Sequence, residues 1–149
     1  MINSLRDWLS NCEYFNSIKK LGVDFLSQNA NTASIDKTPS AKTLETYVNG
    51  DSKCQLTFVL RAWFPYSDEA RQNIENSEFL ENLSDWVDEQ TANENLPILS
   101  PNKTCLSIEV TTTDYLINVA DNGLKGCYQL QLKMIYRKHK NDVFSQFYI

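Results

Sequence analysis

Apolar side chains recur along this chain with two periods, and the places where one gives way to the other divide it into elements. Leu5, Trp8, Leu9 and Cys12 fall at i, i+3, i+4 and i+7, one face of a helix, with Arg6, Asp7 and Ser10 on the other side. A second apolar piece, Tyr14 to Leu21, either extends that helix or follows a bend, with Gly22 as the stop. Val23, Phe25 and Leu26 then suggest a first strand, and Ala33-Ser34-Ile35-Asp36 a short second one. Thr38-Pro39-Ser40 is a break, because proline has no N–H to give a ladder and restricts the residue before it.

From Leu44 the period of two takes over. Leu44 to Val48 is extended, and Asn49-Gly50 is a tight-turn signal. In Gln55 to Phe64 the set Leu56, Phe58, Leu60, Ala62 and Phe64 is wholly apolar and is expected to face the core, and Pro65 ends the strand. Val59, Arg61 and Trp63 share its other face. Ser67 is the expected N-cap of a long helix, with Asp68 and Glu69 in the first turn, where the helix dipole favours negative charge. The helix runs to about Asn93 and is either continuous or broken near Asn76-Ser77. Phe79, Leu80, Leu83, Trp86 and Val87 form its apolar stripe. Leu106, Ile108 and Val110 then alternate with Ser107, Glu109 and Thr111. The strand continues through Tyr115, Ile117 and Val119, with a bulge expected near Thr112–Asp114. After the turn Asp121-Asn122-Gly123, the last strand places Tyr128, Leu130, Leu132, Met134 and Tyr136 on one face, against Gln129, Gln131 and Lys133.

The expected fold class is α+β: an antiparallel or mixed sheet of about 4–5 strands, with an N-terminal helix and one main amphipathic helix packed on one face. Residues 1–138 read as a single domain. Residues 139–149 fit neither period and finish apolar, in Val143, Phe144, Phe147, Tyr148 and Ile149. Such a tail either folds onto its own domain or serves a neighbouring subunit.

Composition narrows the chemistry. The 149 residues carry 14 Lys and Arg against 19 Asp and Glu, a formal net charge of −5. That balance opposes a main role in gripping DNA or an anionic membrane. No run approaches the roughly 18 apolar residues that span a bilayer, and Arg6 and Asp7 interrupt the first apolar stretch, unlike a signal peptide. A cytoplasmic site of synthesis follows. Cys12, Cys54, Cys105 and Cys127 lack the close spacing of zinc ligands and are expected to be reduced and mostly buried. The one histidine, His139, stands between Lys138 and Lys140 and is expected at a solvated surface, with no partner nucleophile marked. Gly123 and Gly126 lie in a hairpin turn rather than between a strand and a helix, so no phosphate cradle is formed. Glu78, Glu81, Asp85, Asp88 and Glu89 are spaced as a solvated helix face. No catalytic, cofactor-binding or metal-binding residue is assigned, and no cofactor is called for. Surface aromatic and arginine side chains are candidate interface anchors. The candidate interface is therefore Val59, Arg61, Trp63, Val143, Phe144, Phe147, Tyr148 and Ile149, with packing under a local loop as the plainer alternative for Trp63.

Several short motifs stand in a distinctive order: Ser4-Leu5-Arg6-Asp7-Trp8-Leu9, then Ser34-Ile35-Asp36 with Pro39, then Gln72-Asn73-Ile74-Glu75-Asn76-Ser77 with Phe79, then Trp86, Glu89-Gln90 and Leu96-Pro97. Over roughly Ile2 to Tyr136 this order resembles the minor capsid, tail-terminator or head–tail joining proteins of phages and prophages of Gram-positive bacteria. Some members carry the label of chloramphenicol resistance proteins. That label implies a catalytic histidine in a His-His-rich motif, and this chain has only His139. Glu78 stands where the family pattern has glycine, and residues from His139 onward have no counterpart in it.

The resemblance implies a structural, non-enzymatic virion protein at the head–tail junction. Its expected form is a homohexameric ring that caps the tail tube, stops tube polymerisation and joins the head connector. The implied partners are further copies of itself, the tail tube protein, a sheath protein where there is one, and the connector, with DNA passing through the lumen without specific binding. A connector or stopper between portal and tail is the alternative, and a small-molecule-modifying enzyme is a third.

Overall fold

A computed structural model describes residues 1–38 and 42–140, of which 113–115 are described by their backbone alone. The first expected helix is α1, Ile2–Ser10, and it buries Leu5, Trp8 and Leu9 as the spacing requires. The apolar piece after it does not extend that helix. It forms a 3-10 turn, Glu13–Ser17, and then a strand, β1, Lys20–Val23. Gly22 is therefore a strand residue rather than a helix stop. A Cβ there would stand 2.4 Å from the Phe25 carbonyl oxygen, because the chain doubles back at once through Asp24, whose φ is 52°. The first strand lies upstream of its expected place, and Phe25 is exposed.

The strands β2, Thr32–Lys37, β3, Lys42–Thr46, and β4, Ser52–Pro65, follow. The helix α2 is Ala70–Ala92. The strands β5, Lys103–Ala120, and β6, Lys125–Lys138, close the fold as a long hairpin. Among the described residues the sheet has six strands in the order β1-β2-β4-β6-β5, with β3 paired to β4 beside β2. It exceeds the expected count because β2 and β3 share one edge of β4. The first takes Phe58 to Trp63 and the second takes Ser52 to Gln55. Along its other edge β4 pairs with β6 over its whole length. The sheet is mixed because β1 runs parallel to β2.

One face of the sheet carries both helices and the core. All five predicted inward residues of β4 and all five of β6 are buried. They meet Leu80, Leu83 and Val87 of α2, and Leu5, Trp8 and Leu9 of α1. Each such large apolar side chain contributes roughly 2 kcal/mol, as an upper figure for area removed from water. Trp8 packs at 4.8 Å and a tilt of 49° against Trp86, and its indole N–H donates to the Asn95 carbonyl at 2.8 Å, which ties α1 to α2 and to the chain just after it.

The long helix departs from expectation at two points. It begins at Ala70, so Ser67 is not its cap and Asp68 and Glu69 precede its first turn. The cause is the route out of β4. Tyr66 N–H still donates to the Leu124 carbonyl, prolonging the ladder, and the Ser67 hydroxyl accepts from Glu69 N–H in a local turn. The helix is also unbroken at Asn76-Ser77. Asn76 turns inward, almost fully buried, and its side-chain amide donates to the Pro65 carbonyl at 2.8 Å and to the Tyr128 hydroxyl at 3.4 Å. Its carbonyl oxygen accepts from Gln72 at 3.2 Å. A residue with poor helix propensity is retained here as a tether between helix and sheet.

Candidate interaction surfaces

The reactive side chains are quiet where they are described. All four cysteines are free and buried. Burial pushes the thiols of Cys12 and Cys127 up, and that of Cys105 up to about 11, which keeps them protonated and poor nucleophiles at neutral pH. Among the described residues no three histidine, cysteine or acidic side chains gather as a metal site. None of the described helices is long and apolar enough to cross a membrane.

The open face of the sheet holds Val59, Arg61 and Trp63, as the alternation requires, and each is half-buried. Arg61 is engaged internally. Its Nε donates to Asp36 Oδ2, and the other Asp36 oxygen accepts from the Ser34 hydroxyl at 2.7 Å. The chain between β1 and β2 crosses this face. Phe25 N–H donates to the Ser34 hydroxyl at 3.2 Å, and Thr32 donates to the Asn29 carbonyl at 2.6 Å. Lys125 reaches over Trp63, 5.0 Å from the ring centre, and donates to the Gln28 carbonyl. Cys127, paired with Trp63 in the ladder, is buried beneath this cover. Of the three candidate anchors, Arg61 and Trp63 therefore have internal partners, in Asp36 and Lys125. The periodicity placed them on one face but carried no sign of the crossover that covers it. Val143, Phe144, Phe147, Tyr148 and Ile149 lie outside the described residues.

A second cluster was missed in the sequence. Asp51, 7% exposed, sits at the turn before β4 and gathers the end of β6. It accepts from Arg137 Nε at 2.9 Å, from the Lys140 backbone N–H at 2.8 Å, and pairs with His139 Nδ1 at 3.3 Å. The Lys140 N–H, then Arg137, His139 and Asn49, hold its carboxyl down to about 2 against the opposing effect of burial. His139 is thus not simply solvated, since its other ring nitrogen lies 2.9 Å from the Thr104 hydroxyl. Arg137 also stacks over the Tyr47 ring at 4.4 Å. These contacts extend to His139 and Lys140, past the last residue of β6. Asp51 follows directly on the Asn49-Gly50 turn, and the turn chemistry was the only available clue.

At the far end of the same hairpin lies a third surface. Leu116, Ile117, Val119 and Leu124 are 39%, 40%, 40% and 68% exposed. They surround the turn Asp121–Leu124, where Asp121, Asn122 and Gly123 all have positive φ. Gly126 is not in the turn, as expected from sequence, but in β6. A Cβ there would stand 3.0 Å from both Leu116 and Tyr66, so its absence lets those side chains close over the strand. The edge of β5 opposite β6 has no strand partner among the described residues.

The outer face of α2 completes the surface. Glu75, Glu78, Glu81, Asp85, Asp88 and Glu89 are exposed. No lysine or arginine occurs from Gln72 to Asn102. No protein-family model matches the chain, and no curated protein does.

Proposed function

We propose that this chain is a phage tail-terminator subunit. Six copies close into a ring that caps the tail tube, stops its polymerisation and presents the surface that the head connector joins. The observation that carries this reading is the exposed apolar end of the β5–β6 hairpin, Leu116, Ile117, Val119 and Leu124, in a molecule whose thiols are buried and whose one histidine is tied to Asp51. A surface of that kind serves association with other protein subunits. The acidic outer face of α2 suits the lumen of such a ring, where DNA slides past like charge without sticking.

Electron microscopy of the purified protein, alone and added to tail tubes, tests the proposal. Rings of the tube's diameter that seat on tube ends and arrest their growth are expected. Binding to portal complexes without effect on tubes would assign a connector instead, and turnover of a small molecule by the monomer would overturn the reading altogether. A ring with a basic lumen would remove the role given to α2.

A further inference from the structure

The two apolar ends of this molecule cannot cover one another within one copy. The first is the hairpin end around Leu116 and Val119. The second is the segment Val143 to Ile149, which starts from the Asp51 cluster at the opposite end of β6. Leu116 is level with Tyr128 and Val119 with Gly126, whereas Lys138 pairs with Lys103 and Ser52. At ~3.3 Å per strand residue, Leu116 therefore lies ~33 Å from the Lys138 level and Val119 ~40 Å. A fully stretched chain puts Phe144 no more than ~14 Å from Lys140, Phe147 no more than ~24 Å and Ile149 no more than ~31 Å. Phe144 and Phe147 fall well short of the hairpin end of their own copy.

We propose that the segment Val143–Ile149 of one copy docks on the exposed end of the β5–β6 hairpin of a second copy, against Leu116, Ile117, Val119 and Leu124. The chemistry of the two partners matches. Val143 to Ile149 contains no charged residue, and Thr111 to Ala120 contains only Asp114. Both are rich in β-branched, aromatic and other apolar side chains, so their contact need desolvate few charges. The covered part of β5 offers no equivalent seat, since the Thr91 hydroxyl already takes both the N–H and the carbonyl of Ile108. A contact between unlike ends is heterologous, so copies joined this way close into a ring or grow into a fibre. The proposal deepens the ring reading by naming the contact. Its test reads association between copies alone, while the terminator reading is judged on tail tubes, so each can fail separately.

Mixing decides it. One variant lacks residues 143–149; a second carries Ile117→Lys and Val119→Lys. The native chain is expected to self-associate in sedimentation velocity, and each variant alone to be monomeric. The expected weakening is at least about 30-fold, as when two apolar anchors leave an interface. Mixed, the variants should form a one-to-one pair and nothing larger, because one supplies only the segment and the other only the seat. Self-association by the truncated variant, or no pairing in the mixture, overturns the proposal. Should truncation unfold the chain, Phe147→Asp replaces it in the same mixture, judged by the same outcomes. As a direct readout, a chain bearing Ile117→Cys and Phe147→Cys should oxidise to disulfide-linked oligomers. A closed monomer with that disulfide within one chain would refute the reach argument.

Discussion

The two halves of β5 pair with the same partner strand yet differ in almost everything else. In the near half Ile108 is almost wholly buried, α2 lies over it, and Thr91 occupies its outward backbone groups. In the far half Leu116, Ile117 and Val119 are open to solvent. There the Val119 N–H turns to the side chain of its own neighbour, Asn118, at 2.9 Å. Both halves are rich in residues that favour strands. Cover decides the difference: a helix hydroxyl and an apolar stripe protect one half of the edge, and among the described residues nothing of this kind protects the other.

Changing Ile108 to Ala should have the largest effect on folding, a loss of about 3 kcal/mol read as a lower denaturation midpoint, because a filled space under α2 becomes a cavity. Asn76→Ala should lose about 2 kcal/mol, since it leaves the Pro65 carbonyl and the Tyr128 hydroxyl without their helix partner. For Thr91→Val, which removes the guard on the near edge but keeps the shape, about 1–2 kcal/mol is expected. The Asp51 cluster sharpens the contrast by pH. A carboxyl held at about 2 stabilises the fold above its ordinary value of 3.8, and that contribution fades as pH falls through about 2. Acid unfolding curves for Asp51→Asn should lack this part of the slope. In the far half, Leu116→Ser should change stability by less than about 0.5 kcal/mol, as at other surface positions. A far-half change that costs as much as Ile108→Ala would erase the distinction between the halves.

The parts legible in sequence were those where one rule acts alone. In β4 and β6 both neighbours are strands and one face is covered along most of the length, so alternation mapped directly onto burial. In β5 the same reading slipped. A bulge between Cys105 and Ser107 hands the inward seat to Cys105 and turns Leu106 outward, although Leu106, Ile108 and Val110 alternate without fault. The pattern did register the irregularity near Thr112–Asp114, where the apolar alternation itself lapses, but not this one, where it continues unbroken. The start of α2 was misplaced for a similar reason: Ser67, Asp68 and Glu69 satisfy the capping pattern, but Tyr66 is still held by the Leu124 carbonyl. For the candidate residues of β4, only their face of the sheet was legible. Arg61 and Trp63 were found on the right face, while their engagement with Asp36 and Lys125 depends on residues distant in sequence. The exposed hairpin end was read as ordinary strand, because nothing local announces where a helix stops covering a sheet.

The Asp51 cluster has a geometric consequence. It binds Arg137, His139 and the Lys140 backbone at once, so the last described residue is pinned to the end of β6 like a spoke to its hub. Where each subunit passes a segment to the next, the turning angle per step determines how many steps complete a circle. Remodelling the turn around Gly50, whose missing side chain leaves room for Lys140, would then alter the number of members in the assembly before it altered their affinity.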